Sequence, residues 1–263
     1  MTLDIPIAFS AVKFFAVFAR VASFLFAMPF FSAESFNIQI RIFIVLIVTV
    51  ALMPVVPGAW MTNEFFDSLD MTKMAVFMTS EALLGLTLAL FVLFIVETLR
   101  FAGDIIDREI GFTMAQVIDP SSDVQAGVFS NMMGQFIILM FFIFDCHHEV
   151  IRIASESFRT LPPGSFILSE SIVEASVYMG NQMLLVGTQI ALPVLGAMLL
   201  LNVAFGFLTR IGGDFPVMEL SLATHFLVGF VILKYSFPVI TSLCRRLNQE
   251  MIEWMAWLVN ISV

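Results

Sequence analysis

Apolar residues fill the chain in long blocks, and polar residues interrupt them at only a few places. The first block runs from roughly Ile7 to Phe31, and Met28-Pro29-Phe30 should end or kink its helix. The second follows Asn37, from about Ile38 to Val56, and is closed by Pro54 and Pro57-Gly58. The loop from Trp60 to Asp70 carries Glu64, Asp67 and Asp70 and reads as solvated. A third block covers about Met74 to Val96, a fourth about Gly127 to Phe144, and a sixth about Val217 to Ile240. The fifth, about Ile172 to Leu208, stays apolar for more than thirty residues. One membrane span needs about 20, so this block predicts a helix that is kinked or extends beyond a bilayer.

Two further stretches alternate with helical period. From His147 to Arg159, Val150, Ile151, Ala154 and Phe158 oppose Glu149, Arg152, Glu156 and Arg159, until Pro162-Pro163-Gly164 ends the pattern. At the C-terminal end Leu243, Leu247, Met251, Trp254, Leu258 and Ile261 recur at fours and threes, while Arg245, Arg246, Glu250 and Glu253 lie elsewhere on the wheel. Such a helix suits a partner or a membrane surface.

The stretch from Arg100 to Asn131 concentrates the chain's polar chemistry. Glu97, Arg100, Asp104 and Arg108 share one face of a predicted helix, and Leu99, Ala102, Ile105 and Ile106 fall towards the other. The pattern stops at Gly111. Phe112 to Ile118 is apolar but too short to span a membrane, and Asp119-Pro120 closes it, because a residue before proline avoids the helical region. A helix restarts at Pro120 or at the capping box Ser122-x-x-Gln125. The residues alone leave two readings of the loop open: a connector packed on a neighbour, or a movable apolar stopper built from adaptable Phe and Met side chains.

Composition sets the class. The chain has 263 residues, 60% of them hydrophobic, with mean hydropathy +0.99. Soluble domains lie near 45–50% apolar, so this is an integral membrane protein, or one buried almost wholly among hydrophobic partners; with its blocks read as helices, the fold class expected is all-α. Thirty phenylalanines against two tyrosines and three tryptophans leave few interfacial markers with which to place a bilayer. A formal charge of −9 without a basic cluster larger than Arg245-Arg246 excludes nucleic-acid binding. Cys146 and Cys244 have no partner motif and read as reduced. The start, Met1-Thr-Leu-Asp4, lacks a basic region, and the first block exceeds a signal-peptide core, so it is expected to stay as a membrane element. No repeat, low-complexity tract or boundary appears, so residues 1–263 read as one domain.

Charges inside apolar blocks are costly and need partners. Lys13 and Arg20 are seven apart, on one helical face, and either face a protein interior or snorkel to an interface. Arg41 opens the second block. Glu81 is the lone acid of the third and could pair with Arg20, with Lys13 or with a partner subunit. Gly85-x-x-x-Ala89 would permit close helix approach. Cys146-His147-His148-Glu149 raises a metal site, but adjacent histidines point about 100° apart on a helix and no HExxH is present, so neither metal nor cofactor is expected. Six apolar units divide the flanking cations evenly: Lys73, Arg152, Arg159, Arg245 and Arg246 on one side, Arg41, Arg100, Arg108 and Arg210 on the other. Orientation therefore stays open.

The run Gly111 to Pro120, GFTMAQVIDP, resembles the FliR/SctT family, the export-gate subunits of flagellar and injectisome type III secretion systems, with the flagellar branch closer. Supporting matches are Arg20 with Met28-Pro29-Phe30, Arg41 before an apolar run ending at Pro54, and His147-His148 through Ser157-Phe158. After Arg210 the chain departs from the family pattern, reading Ile211-Gly-Gly-Asp-Phe-Pro-Val-Met218. The resemblance implies a non-enzymatic subunit that joins FliP and FliQ copies in a helical pore, binds FlhB and passes unfolded substrates across the bacterial inner membrane at the flagellar basal body. It also implies about six long hydrophobic helices in hairpins, partly lifted out of the bilayer plane. By the same resemblance Gly111 to Pro120 helps close the pore: Phe112, Met114, Val117 and Ile118 occlude it beside uncharged Gln116, Gly111 supplies the bend, and Asp119-Pro120 fixes the exit.

Two other classes compete. An ion- or proton-coupled secondary transporter would use six apolar units, Glu81 and helices broken near Gly111 and Pro193, but internal repeats are missing. A membrane enzyme would need a nucleophile–base pair or a metal motif, and the sequence presents neither.

Overall fold

A computed structural model describes residues 4–32, 37–57, 70–111, 127–211 and 217–261, and every regular element among them is an α-helix. In order these are α1 (Asp4–Ala27), α2 (Pro29–Ser32), α3 (Ile38–Leu52), α4 (Met71–Ile110), α5 (Val128–Ile143), α6 (Cys146–Thr160), α7 (Glu170–Ile211) and α8 (Val217–Ile261). The expected all-α class is what is found among the described residues.

Eight helices are described against six apolar blocks, and several of them are longer than the blocks suggested. The third block and the charged central helix form one 40-residue helix, α4, because nothing between Val96 and Glu97 breaks the backbone pattern. The sixth block and the C-terminal amphipathic stretch likewise merge into the 45-residue α8, with Pro238 inside it. The overlong fifth block is the 42-residue α7, which contains Pro193. At 1.5 Å per residue these helices measure roughly 60–68 Å, about twice a 30 Å hydrocarbon core. Among the described residues three helices are long and apolar enough to cross a membrane, or four if α5 and α6 count as one broken span. With only 15 residues, α3 is shorter than a span.

Ends follow local chemistry. The Asn37 side chain accepts the Gln39 N–H at 3.2 Å and starts α3. Asp70 does the same one residue before α4, accepting Met71 N–H at 2.8 Å. Gly111, at φ +95°, ends α4 in a left-handed conformation that residues with a Cβ rarely adopt, and its N–H donates to Asp107 O at 3.2 Å.

The chain divides into two compact units. The first comprises Met1–Phe94, Asp145–Tyr178 and Gln249–Val263. In it α1 and α4 approach closely at Gly85, where an added Cβ would lie 2.0 Å from Ser23 Oγ and 2.3 Å from the Arg20 carbonyl oxygen. Gly85 and Ala89 are both buried, as their small-residue spacing predicted. On α6 the buried stripe is Cys146, Val150, Ile153, Ala154, Ser157 and Phe158. Ile151, read as part of that stripe, is exposed, because a residue one step from Val150 is rotated about 100° away. The second unit comprises Ile95–Phe144 and Met179–Asn248. Along the end of α8, Cys244, Leu247 and Asn248 are buried in this unit, and Met251, Met255, Leu258 and Val259 in the first. Predicted Leu243 and Trp254 thus sit beside the stripe; Trp254 packs at a tilt against Tyr178 instead, with ring centroids 5.4 Å apart.

Candidate functional site

Two polar clusters stand out within the apolar scaffold, one in each unit. In the first unit Arg20 is 2% exposed and Glu81 0%. Arg20 Nε donates to Glu81 Oε2 at 2.8 Å, and Nη2 lies 2.8 Å from the same oxygen. Its remaining donors meet the Ser157 carbonyl at 3.0 Å, Ser157 Oγ at 3.1 Å and the Leu161 carbonyl at 3.2 Å. The guanidinium also rests 4.2 Å from the Phe158 ring centroid. The other oxygen of Glu81, Oε1, accepts the Gly164 N–H at 2.7 Å. Gly164 adopts φ +85°, and Phe77 Cδ2 lies 2.6 Å from where its Cβ would be, so both backbone and space select glycine.

This arrangement resolves one of the alternatives left by the sequence: Glu81 pairs with Arg20. A charge pair so deeply buried holds only when its remaining hydrogen-bonding sites are filled, and here three backbone groups and a hydroxyl fill them. The cluster thereby fastens α1, α4, the end of α6 and the Pro162–Gly164 turn to one another. Lys13 is half-buried and has no ion pair among the described residues. Arg41 is half-buried near Leu25, Phe26 and Phe31.

The second cluster surrounds Asp107, 1% exposed near the end of α4. Its carboxylate accepts Phe129 N–H at 3.1 Å on Oδ1 and Ser130 N–H at 2.9 Å on Oδ2. These are orphan amides of the first turn of α5, whose N-cap, Gly127, supplies no side-chain bond of its own. Asp107 is therefore a cap provided from another helix, and its negative charge suits the positive end of α5. A Cβ on Gly127 would fall 1.9 Å from Asp107 Oδ2, and one on Gly103 would fall 2.5 Å from Ser130 Cα. Both glycines let the two helices meet. Ser130 Oγ adds a bond to the Arg100 carbonyl at 3.1 Å.

The charged face of α4 is looser than the sequence implied. Arg100 Nη1 reaches Glu97 Oε1 at 3.3 Å, and both side chains are partly exposed. Asp104 is half-buried, Arg108 is exposed, and neither makes an ion pair among the described residues. The Arg100 stem packs instead over Gly134 of α5, where an added Cβ would lie 3.0 Å from its Cγ. Of the predicted pore-closing residues, Gly111 is described, at φ +95° where α4 ends; Phe112, Met114, Gln116, Val117, Ile118, Asp119 and Pro120 lie outside the described residues, as do both candidate helix restarts. Asp145, His147 and His148 do gather, with one potential ligand atom each within 4.8 Å of the others. Asp145 and His148 are open to solvent and pair loosely at 3.5 Å.

Asp107 was not singled out in the sequence, Ser157 was named only within a matching tract, and Gly164 only as part of a helix-ending turn. The signal available for Asp107 was its position: it falls four residues after Gly103 and beside Ile106 and Ile110, an acid on the apolar face of an amphipathic helix.

Long apolar helices with polar groups sequestered between them define an all-α membrane protein. The sequence profile described as "Bacterial export proteins, family 1" matches residues 11–251. The chain is 25% identical over 241 residues to the flagellar biosynthetic protein FliR of Escherichia coli (strain K12), covering 92% of this chain and 90% of that protein. It is 26% identical over 251 residues to the protein of the same name from Bacillus subtilis (strain 168), covering 92% of each. The chain belongs to this family of bacterial export proteins, and it is a component of the flagellar export apparatus.

Proposed function

We propose that the chain joins FliP and FliQ subunits and FlhB in the inner membrane at the flagellar basal body, forming the channel for unfolded substrates. Residues 1–263 act as one export-gate domain without catalysis, and the segment from Gly111 to Pro120 seals the channel at rest. The observation that carries this reading is the position of Asp107. Its carbonyl holds Gly111 N–H, and its carboxylate holds the amides of Phe129 and Ser130. A single residue thus pins the chain on both sides of the proposed seal. A movable segment needs fixed ends, and a connector that packs by its own side chains does not.

Chemistry of the segment agrees. Phe112, Met114, Val117 and Ile118 are apolar, and Gln116 is uncharged; a narrow apolar passage excludes ions by dewetting. Exposed apolar side chains along α7 and α8, among them Leu199, Leu200, Phe207 and Leu227, support burial against lipid or partner subunits. The transporter alternative drew on Glu81 among other features, and both oxygens of Glu81 are engaged, by Arg20 and Gly164.

Replacing Phe112–Ile118 by a shorter Gly/Ser run tests the seal. The expected result is normal complex yield with a resting leak of ions or small solutes, read by conductance or sensitivity to small toxic molecules. Normal assembly without a leak would sink the gating role, and loss of assembly would show a packed connector.

A further inference from the structure

The geometry points to a lipid site in the second unit: a groove between α5 and α8 that takes one acyl chain of an anionic phospholipid, with its phosphate on Lys234. The two helices run parallel in a fixed register. Phe129 meets Phe230 with ring centroids 5.4 Å apart, and Phe136 meets Phe237 at 4.9 Å. Further on, the Arg245 guanidinium lies 5.2 Å from the Phe144 ring centroid. Phe230 follows Phe129 by 101 residues, as Phe237 follows Phe136 and Arg245 follows Phe144, so the contacts form rungs along one seam.

Between the first two rungs the seam does not close. Met132, Met133, Leu233 and Lys234 line a cavity of about 380 Å³ there. Met133 and Leu233 are its buried floor, and Met132 and Lys234 stand at the open rim. Rungs seven residues apart are separated by about 10.5 Å along a helix. A groove of this volume and length, closed at each end by a pair of rings, fits a single hydrocarbon chain. Phenylalanine rings and methionine thioethers suit such a flexible apolar guest.

Lys234 selects the headgroup. It is the only charged residue lining the groove, is exposed, and has no hydrogen bond or ion pair among the described residues. It lies within a helix apolar enough to cross a membrane, where an ammonium without an anion is costly. Its aliphatic stem can follow the groove wall while the charge reaches the headgroup level. A zwitterionic lipid brings its own ammonium beside the phosphate, so net negative charge is preferred.

The test uses the full chain in its membrane complex, extracted in mild detergent and titrated with phosphatidylglycerol or phosphatidylcholine of equal chain length under native mass spectrometry. Phosphatidylglycerol should be retained about fivefold more strongly, the effect of one lysine beside an anionic lipid. Lys234→Met should abolish that preference, Lys234→Arg should keep it, and Met132→Trp should fill the groove and reduce retention of both lipids. Equal retention of the two lipids by the unmodified chain overturns the proposal, as does a preference that survives Lys234→Met. A photoreactive side chain at Met132 that captures a protein and no lipid also overturns it. If Lys234→Met fails to accumulate, the arginine and tryptophan variants decide: selectivity lost in the first or retention unchanged in the second is contrary.

Discussion

The Asp107 carboxylate accepts Ser130 N–H at 2.9 Å, joining two residues that stand 23 positions apart in the chain. The bond caps α5 with a side chain from α4, and the same carboxylate accepts Phe129 N–H at 3.1 Å. A buried anion with two amide donors is a stronger cap than a neutral side chain. Asp107→Ala should cost about 2–3 kcal/mol, because it strands two amides and leaves a cavity. Asp107→Asn keeps one acceptor oxygen and should cost about half of that. Thermal unfolding of the purified complex checks both values. Equal stability of the alanine variant and the unmodified protein would show that the amides find other partners.

Arg20 and Glu81 should behave as a unit. Removing either partner leaves a buried charge without its counter-ion, at a cost of about 3–5 kcal/mol. Arg20→Met and Glu81→Leu are therefore each expected to lower complex yield sharply, and the double variant should recover much of the loss. Recovery will be incomplete, since Ser157, Leu161 and Gly164 lose their partners as well. A double-mutant cycle measures the coupling. Strict additivity of the two losses would mean that the pair contributes nothing jointly.

Much of this was legible in the sequence, for identifiable reasons. Long apolar blocks announced the helices, because lipid or protein burial requires them and period does not change along a helix. Joins were not legible: α4 continues through Val96–Glu97 with no breaker to mark or forbid a boundary. Arg20 and Glu81 drew notice as charges in apolar blocks, yet their pairing is set across 61 residues by the approach of α1 and α4 at Gly85. Leu161 acts only through its backbone carbonyl and Ser157 partly so, and no side-chain pattern reports a carbonyl. Asp107 lay among charged neighbours at three- and four-residue spacing, and the visible ladder drew attention from the one acid on the buried face.

Glycines separate close approach from tolerance. A Cβ at Gly85 would meet Ser23 Oγ at 2.0 Å and backbone at 2.3 Å, whereas one at Gly196 would meet nothing within 4 Å. Gly85→Ala must push α1 from α4 and disturb Arg20, and should destabilise the protein by about 1–3 kcal/mol. Gly196→Ala sits inside α7 and should be neutral or stabilising by about 0.5–1 kcal/mol through helix propensity. Melting temperatures of the two variants in the same detergent give the comparison. A Gly85→Ala protein as stable as Gly196→Ala would contradict the packing described for α1 and α4.

The charged face of α4 offers a way to distinguish a solvated surface from one that meets a partner. Asp104 stands four residues from both Arg100 and Arg108, and makes no ion pair among the described residues. Asp104→Arg places three cations along two turns. Like charges at that spacing repel by about 0.2–0.5 kcal/mol per pair, so the chain's own stability should fall by less than about 1 kcal/mol. Recovery of the export complex should fall much further, because a partner matched to an acid at this position would face a cation. The discriminating measurement is therefore a ratio: complex yield on affinity purification against the amount of chain in the membrane. A large drop in the ratio with unchanged membrane level places Asp104 at a subunit contact. If chain level and complex yield both stay at the unmodified value and export continues, Glu97, Arg100, Asp104 and Arg108 form only a solvated face, and the charge ladder has no part in assembly.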